Sequence, residues 1–128
     1  MVDRNRWNRR LGERSERAAA RYLRRRGMRI METNYRCRLG EIDIVAGDDG
    51  TVVVVEVKSK GGRRFGRPEE MVTIAKRRKL TALAVIWLRH RGYAGRGLRF
   101  DVVALDWDGG SLVEVRHYRG AFLAEGMW

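Results

Sequence analysis

The sequence predicts an α/β fold: a central mixed β-sheet flanked by helices. Three observations carry that expectation. Two stretches repeat apolar residues at helical spacing, and two pairs of short apolar runs are each hinged by a Gly/Asp turn. These segments also occur in the order helix, strands, helix, strands, which builds a sheet with helices packed on it. A chain of 128 residues, 44% of them hydrophobic, fits one compact domain spanning 1–128.

The first helix is expected over about 8–26. Leu11, Ala18, Ala19, Tyr22 and Leu23 fall on one side of it, and Gly27 is a stop signal. Residues 28–36 read as a short extended or irregular piece. Glu41 to Ala46 alternates with period two, Gly47-Asp48-Asp49-Gly50 is turn chemistry, and Thr51 to Val57 carries five valines. Two such runs around so short a turn form an antiparallel hairpin. A Gly-rich basic loop over 61–68 precedes a second helix from about Glu69 to Arg91. The stripe of that helix is Leu80, Leu83, Ala84, Trp87 and Leu88. Leu98 to Leu105 and Leu112 to Tyr118 are the last strands, joined at Asp108-Gly109-Gly110.

The formal charge of +12 is unevenly laid out. Residues 1–38 carry +9, 39–56 carry −5 with no base at all, 57–99 carry +11, and 100–128 carry −3. Two basic blocks therefore flank an acidic island. Basic surface attracts polyanions through phosphate contacts and counterion release, and arginine, which far outnumbers lysine here, favours bidentate contact with phosphate. Nucleic acid is the expected partner. No apolar run approaches the roughly 18 residues that span a bilayer, and the N-terminus leads into no signal-like apolar stretch. No membrane association and a cytoplasmic location are expected. The single Cys37 excludes an intramolecular disulfide framework and a cysteine-rich zinc site.

The acids of the island sit where a sheet interior should be apolar. Glu41 and Asp43 share a face of the first hairpin strand, and Glu56 and Lys58 share a face of the second. The turn brings the strands side by side, so Asp43 is expected near Glu56 and Lys58. Buried carboxylates cost several kcal/mol unless they are paired or metal-bound. A few hard oxygen ligands suit Mg²⁺ (or Mn²⁺), and Lys58 beside the metal could orient the attacking water. An ordinary solvent-facing Glu-Lys pair is the competing explanation.

Gly40-Glu41-Ile42-Asp43-Ile44-Val45-Ala46 followed by Val55-Glu56-Val57-Lys58-Ser59-Lys60 closely resembles the YraN family of predicted endonucleases. Tyr22-Leu23, Asn34-Tyr35-Arg36, Phe65-Gly66-Arg67-Pro68, Val72 with Lys76 and Leu80, and Arg99-Phe100-Asp101-Val102-Val103 also match, so the resemblance covers roughly 12–122. It implies a restriction-endonuclease-like three-layer fold related to archaeal Holliday-junction resolvases, with a PD-(D/E)xK active site. By position, Asp43 is the Asp of that motif and Glu56 with Lys58 is its E-x-K. A helix Glu six residues before the aromatic of Tyr22-Leu23 falls on Glu16, not Glu13, and Ser15 stands where the pattern has a second Gly.

The expectation is thus a Mg²⁺-dependent endonuclease acting on DNA, with branched DNA suggested by family relatedness alone. Asp43 and Glu56 would hold the metal with the Val57 carbonyl, Lys58 would position water, and Glu16 would complete the site. Glu41 either supports the metal ligands from behind or binds a second metal, or it is the partner of a neighbouring Arg. Arg36, Arg38, Lys60, Arg63, Arg64, Arg67 and Lys76 are the expected phosphate contacts. Asp101 reads as a strand residue paired with Arg99 or with a helix end, and His90 and His117 lack partners at metal-ligand spacing. Trp7, Trp107 and Trp128 are expected at a surface or an interface. A resolvase would need a homodimer to present paired sites. The rival expectation is a nucleic-acid-binding accessory protein that keeps the fold without turnover.

Overall fold

The computed structural model describes residues 4–61 and 71–124, with side chains for 9–60 and 71–124. The order is α1 (Arg4–Arg25), β1 (Arg29–Cys37), β2 (Gly40–Asp48), β3 (Thr51–Gly61), α2 (Ile74–Arg91), β4 (Leu98–Asp108) and β5 (Ser111–Phe122). The strands form one sheet in the order β1-β2-β3-β4-β5. Neighbours pair antiparallel except β3 and β4, which run parallel. A parallel pair needs a crossover, and α2 lies within it. The result is an α/β fold with a five-stranded mixed sheet flanked by two helices, a restriction-endonuclease-like layout.

Side-chain alternation in the valine run builds both cores at once. Val53 and Val55 pack with Ala19, Ala20 and Leu23 of α1, together with Val103, Leu105 and Trp107. Val52 and Val54 pack on the other face with Leu80, Leu83, Ala84, Trp87 and Leu88 of α2. Each fully buried valine contributes about 1.5–3 kcal/mol, so this strand anchors both layers. Among the described residues, no helix is long and apolar enough to cross a membrane.

The structure refines three expectations. The piece over 28–36, expected to be extended or irregular, is extended: residues 29–37 form a nine-residue edge strand. Its periodicity is obscured by a register shift between Ile30 and Glu32, and by Asn34 at φ 55°. The second helix is expected from Glu69, which lies outside the described residues; among those described, α2 runs from Ile74, where the Thr73 side chain accepts the Lys76 N–H as an N-cap. Trp107, expected at a surface or an interface, is 5% exposed at the contact between the sheet and α1, where its indole N–H donates to the Ser15 hydroxyl at 2.8 Å. Ser15 therefore binds across the α1–sheet contact where a Gly would leave the indole without this partner.

Candidate metal centre

The ladder between β2 and β3 runs from Asp48↔Thr51 at the turn to Ile44↔Val55. Beyond that pair the Asp43 carboxylate takes over: its Oδ2 accepts the Val57 N–H at 2.8 Å. The strand is irregular at this place. Ile42 packs on the α2 side and Ile44 on the α1 side, although residues two apart in a regular strand share a face. A local break of this kind re-aims a side chain, and such breaks are common beside functional sites. Here it turns Asp43 toward α1.

Glu16 of α1, Glu41 and Asp43 each bring a carboxylate oxygen to within 4.8 Å of the other two. Glu56 meets this group through a hydrogen bond with Asp43, and it is 7% exposed. Of the four residues expected to be catalytic, Asp43, Glu56 and Glu16 converge. Lys58 is half-buried and close enough to act on the Glu56 charge. Lys76, expected as a phosphate contact, reaches over from α2, with its Nζ 3.9 Å from Glu56 Oε2. Glu41 meets the neighbouring Arg36, its Oε2 lying 3.4 Å from Arg36 Nε, and also belongs to the carboxylate group. Val57 engages Asp43 through its N–H. Arg36, Arg38 and Lys60 are exposed. Arg63, Arg64 and Arg67 lie outside the described residues.

The electrostatics follow from crowding acids in a poorly hydrated place. Burial, and then the Asp43 charge, push the Glu56 carboxyl up to about 7, against the opposing pull of Lys76 and Lys58. Burial also raises Asp43, although the Val57 N–H and the Glu56 side chain partly hold it down. Glu16 is raised by burial and by Asp43, and a hydrogen bond from Asn34 opposes this. Glu56 thus tends to keep its proton and share it with Asp43 (a carboxylate pair relieving its own repulsion). A hard divalent cation would relieve the same repulsion, and the oxygen-only donor set suits Mg²⁺ or Mn²⁺.

Asn34 is the site residue that sequence reading missed. Its left-handed backbone is tolerated by Asn better than by most residues, so Asn within a strand-like stretch was the available signal.

The chain resembles known proteins over nearly all of its length. A relative from Moorella thermoacetica is 48% identical over 115 residues, which is 89% of this chain and 96% of that protein. One from Renibacterium salmoninarum is 46% identical over 110 residues, 86% and 93% of the two chains. Another from Symbiobacterium thermophilum is 44% identical over 117 residues, 91% and 99%. Each of these is called a UPF0102 protein, a name that states no activity. The profile of the Uncharacterised protein family UPF0102 matches residues 15–105, which takes in Glu16, Glu41, Asp43, Glu56, Lys58 and Lys76. The chain belongs to this family, the YraN family whose motifs it carries.

Proposed function

We propose that the protein is a Mg²⁺-dependent endonuclease of the PD-(D/E)xK type that hydrolyses phosphodiester bonds in DNA. The observation that carries this reading is the convergence of Glu16, Glu41 and Asp43 around one point, with Glu56 joined to Asp43 and two lysines beside it. Asp43, Glu56, Glu16 and Glu41 would hold the cation, with the Val57 carbonyl as a further donor. The ion, when bound, supplies Lewis-acid polarisation of the scissile phosphate.

The remaining work falls to the chain. Lys58 donates hydrogen bonds that orient water in line with the phosphorus and offsets charge developing on the phosphoryl oxygens. Lys76 holds Glu56 toward its ionised form, which keeps the site ready for a cation. The Val57 N–H fixes the Asp43 carboxylate so that it does not rotate away. Arg36, Arg38 and Lys60, with Arg63, Arg64 and Arg67, supply backbone contacts that carry no base readout. A branched substrate and a homodimer with paired sites belong to the same reading.

The test is incubation with linear, nicked, flapped and four-way DNA, with and without Mg²⁺ or Mn²⁺. Metal-dependent cutting that disappears in Glu56→Ala and Lys58→Ala while binding survives supports the enzyme. Wild type and variants behaving alike would sink it.

A further inference from the structure

A groove of about 380 Å³ runs between α1 and the edge strand β1, lined by Glu13, Glu16, Arg17, Arg21, Arg24 and Asn34 among others. Glu16, a member of the carboxylate group, is part of its lining, so the groove adjoins the candidate site. Arg17, Arg21 and Arg24 follow at i, i+4 and i+7 along one side of the helix. The rise is about 6 Å from Arg17 to Arg21 and about 4.5 Å from Arg21 to Arg24. That step is of the same order as the one between successive phosphates of a nucleic-acid strand.

Arg17, Arg21 and Arg24 are set apart by sharing one groove, since other arginines that also lack a partner among the described residues, such as Arg78 and Arg89, lie on exposed α2 positions outside it. Arg36, Arg91, Arg99, Arg116 and Arg119 each meet a carboxylate. Arg17, Arg21 and Arg24 form no ion pair or hydrogen bond with any described residue, although they repel one another along the groove. Favourable placement near the helix C-terminus explains Arg24 but not Arg17 or Arg21, which lie one to two turns further back. The polar side chains of Thr33 and Asn34 form the opposite wall.

The geometry points to this groove as the track of one DNA strand beside the cleavage site, its successive phosphates held by Arg17, Arg21 and Arg24. For its ligand class the inference rests on the proposed nuclease function. It adds a path along α1 to the contacts expected around the hairpin.

The test reads binding, not cutting. A fluorescent strand of about 20 nucleotides is titrated in EDTA across a salt series, with Arg17→Ala/Arg21→Ala set against Arg78→Ala/Arg89→Ala. The second pair makes the same charge change on exposed positions of α2. With a slope of about 0.7 per single-strand phosphate contact, the groove pair should lower the steepness of log K against log salt by about 1.4 and weaken binding at least tenfold at moderate salt. The α2 pair should change either quantity little. Arg21→Gln alone, expected to lower the slope by about 0.7, decides the matter if the double variant does not fold. Unchanged slopes in the groove variants, or equal losses in the two pairs, overturn the track. Wild type that cuts DNA while the groove variants bind normally overturns the track and leaves the nuclease standing. Groove-dependent binding with no metal-dependent cutting does the reverse.

Discussion

Two carboxylates lie deep in this sheet, and their surroundings are opposite. Asp101 of β4 is 0% exposed, yet all of its contacts are donors. Arg99 meets it at 2.9 and 3.1 Å, His117 Nε2 at 2.8 Å and the Gly120 N–H at 2.9 Å. Burial alone would raise its carboxyl, but the bonds from His117, Arg99 and Gly120 outweigh burial and hold it below its ordinary value. Glu56 of β3, nearly as buried, faces Asp43 and is pushed up instead. One site satisfies its charge from within, whereas the other leaves acids confronting acids. A group left in unfavourable surroundings within a well-packed sheet marks where function, rather than stability, sets the residue. His117, held by Asp101, belongs to the satisfied site.

The largest expected effects separate the two sites. Glu56→Gln removes a charge from the crowded site, so metal-dependent cleavage should fall at least about 10³-fold, while the metal-free protein becomes as stable as wild type or more so. Gel cleavage assays and urea denaturation on the same preparation check both halves. Asp101→Asn leaves Arg99 with Asp48 as its one charged partner and removes one of the two acceptor oxygens faced by His117 and the Gly120 N–H, so it should cost about 1–3 kcal/mol, again read by urea denaturation. If Glu56→Gln instead destabilised the protein as much as Asp101→Asn, the two sites would be alike and the contrast would fail.

Much of this contrast was legible before any coordinates. Leu80, Leu83, Ala84, Trp87 and Leu88 are all buried, as their spacing requires, and the hairpin around Asp49-Gly50 forms where its turn chemistry places it. What stayed hidden depends on partners distant in sequence or on broken periodicity. Trp107 carries no local sign that Ser15, 92 residues away, will receive its indole N–H. The break between Ile42 and Ile44 interrupts the alternation that sequence reading relies on, so Glu41 remained an open alternative. Arg17, Arg21 and Arg24 are visible as a helical repeat, but only the folded chain shows that they form no ion pair with a described residue, although Glu13 and Glu16 line the same groove.

Proton linkage sharpens the comparison with smaller effects and opposite signs. Glu56, raised in the folded state from 4.5 to about 7, contributes stability that is full below 4.5 and is lost as pH rises through about 7. In EDTA the protein should lose on the order of 2–3 kcal/mol between pH 5 and 8, and Glu56→Gln should flatten that slope. Asp101, lowered below 3.8, contributes stability that is present above that value and is lost as pH falls through its folded pKa. Asp101→Asn should therefore change the acid limb and leave the neutral limb as it was. Binding needs deprotonated carboxylates, so Mg²⁺ or Mn²⁺ should raise the melting temperature at pH 8 by an amount equivalent to about 1–3 kcal/mol, and hardly at all at pH 5. Thermal melts across pH with and without metal measure all of this.

The smallest expected effect concerns Asn34, which belongs to both the fold and the site. Its backbone sits at φ 55° in β1 and its side chain bonds to Glu16. Asn34→Gly keeps the backbone conformation at no steric cost and removes only the bond, so stability should change by less than about 1 kcal/mol. Without that bond the Glu16 carboxylate loses the donor that orients it toward Asp43 and Glu41. Metal-dependent activity should drop by about tenfold. Asn34→Ala adds backbone strain of about 1 kcal/mol or more on top of the same functional loss. Equal activity of Asn34→Gly and wild type across pH would place Asn34 with Asp101, as a residue kept for the fold alone.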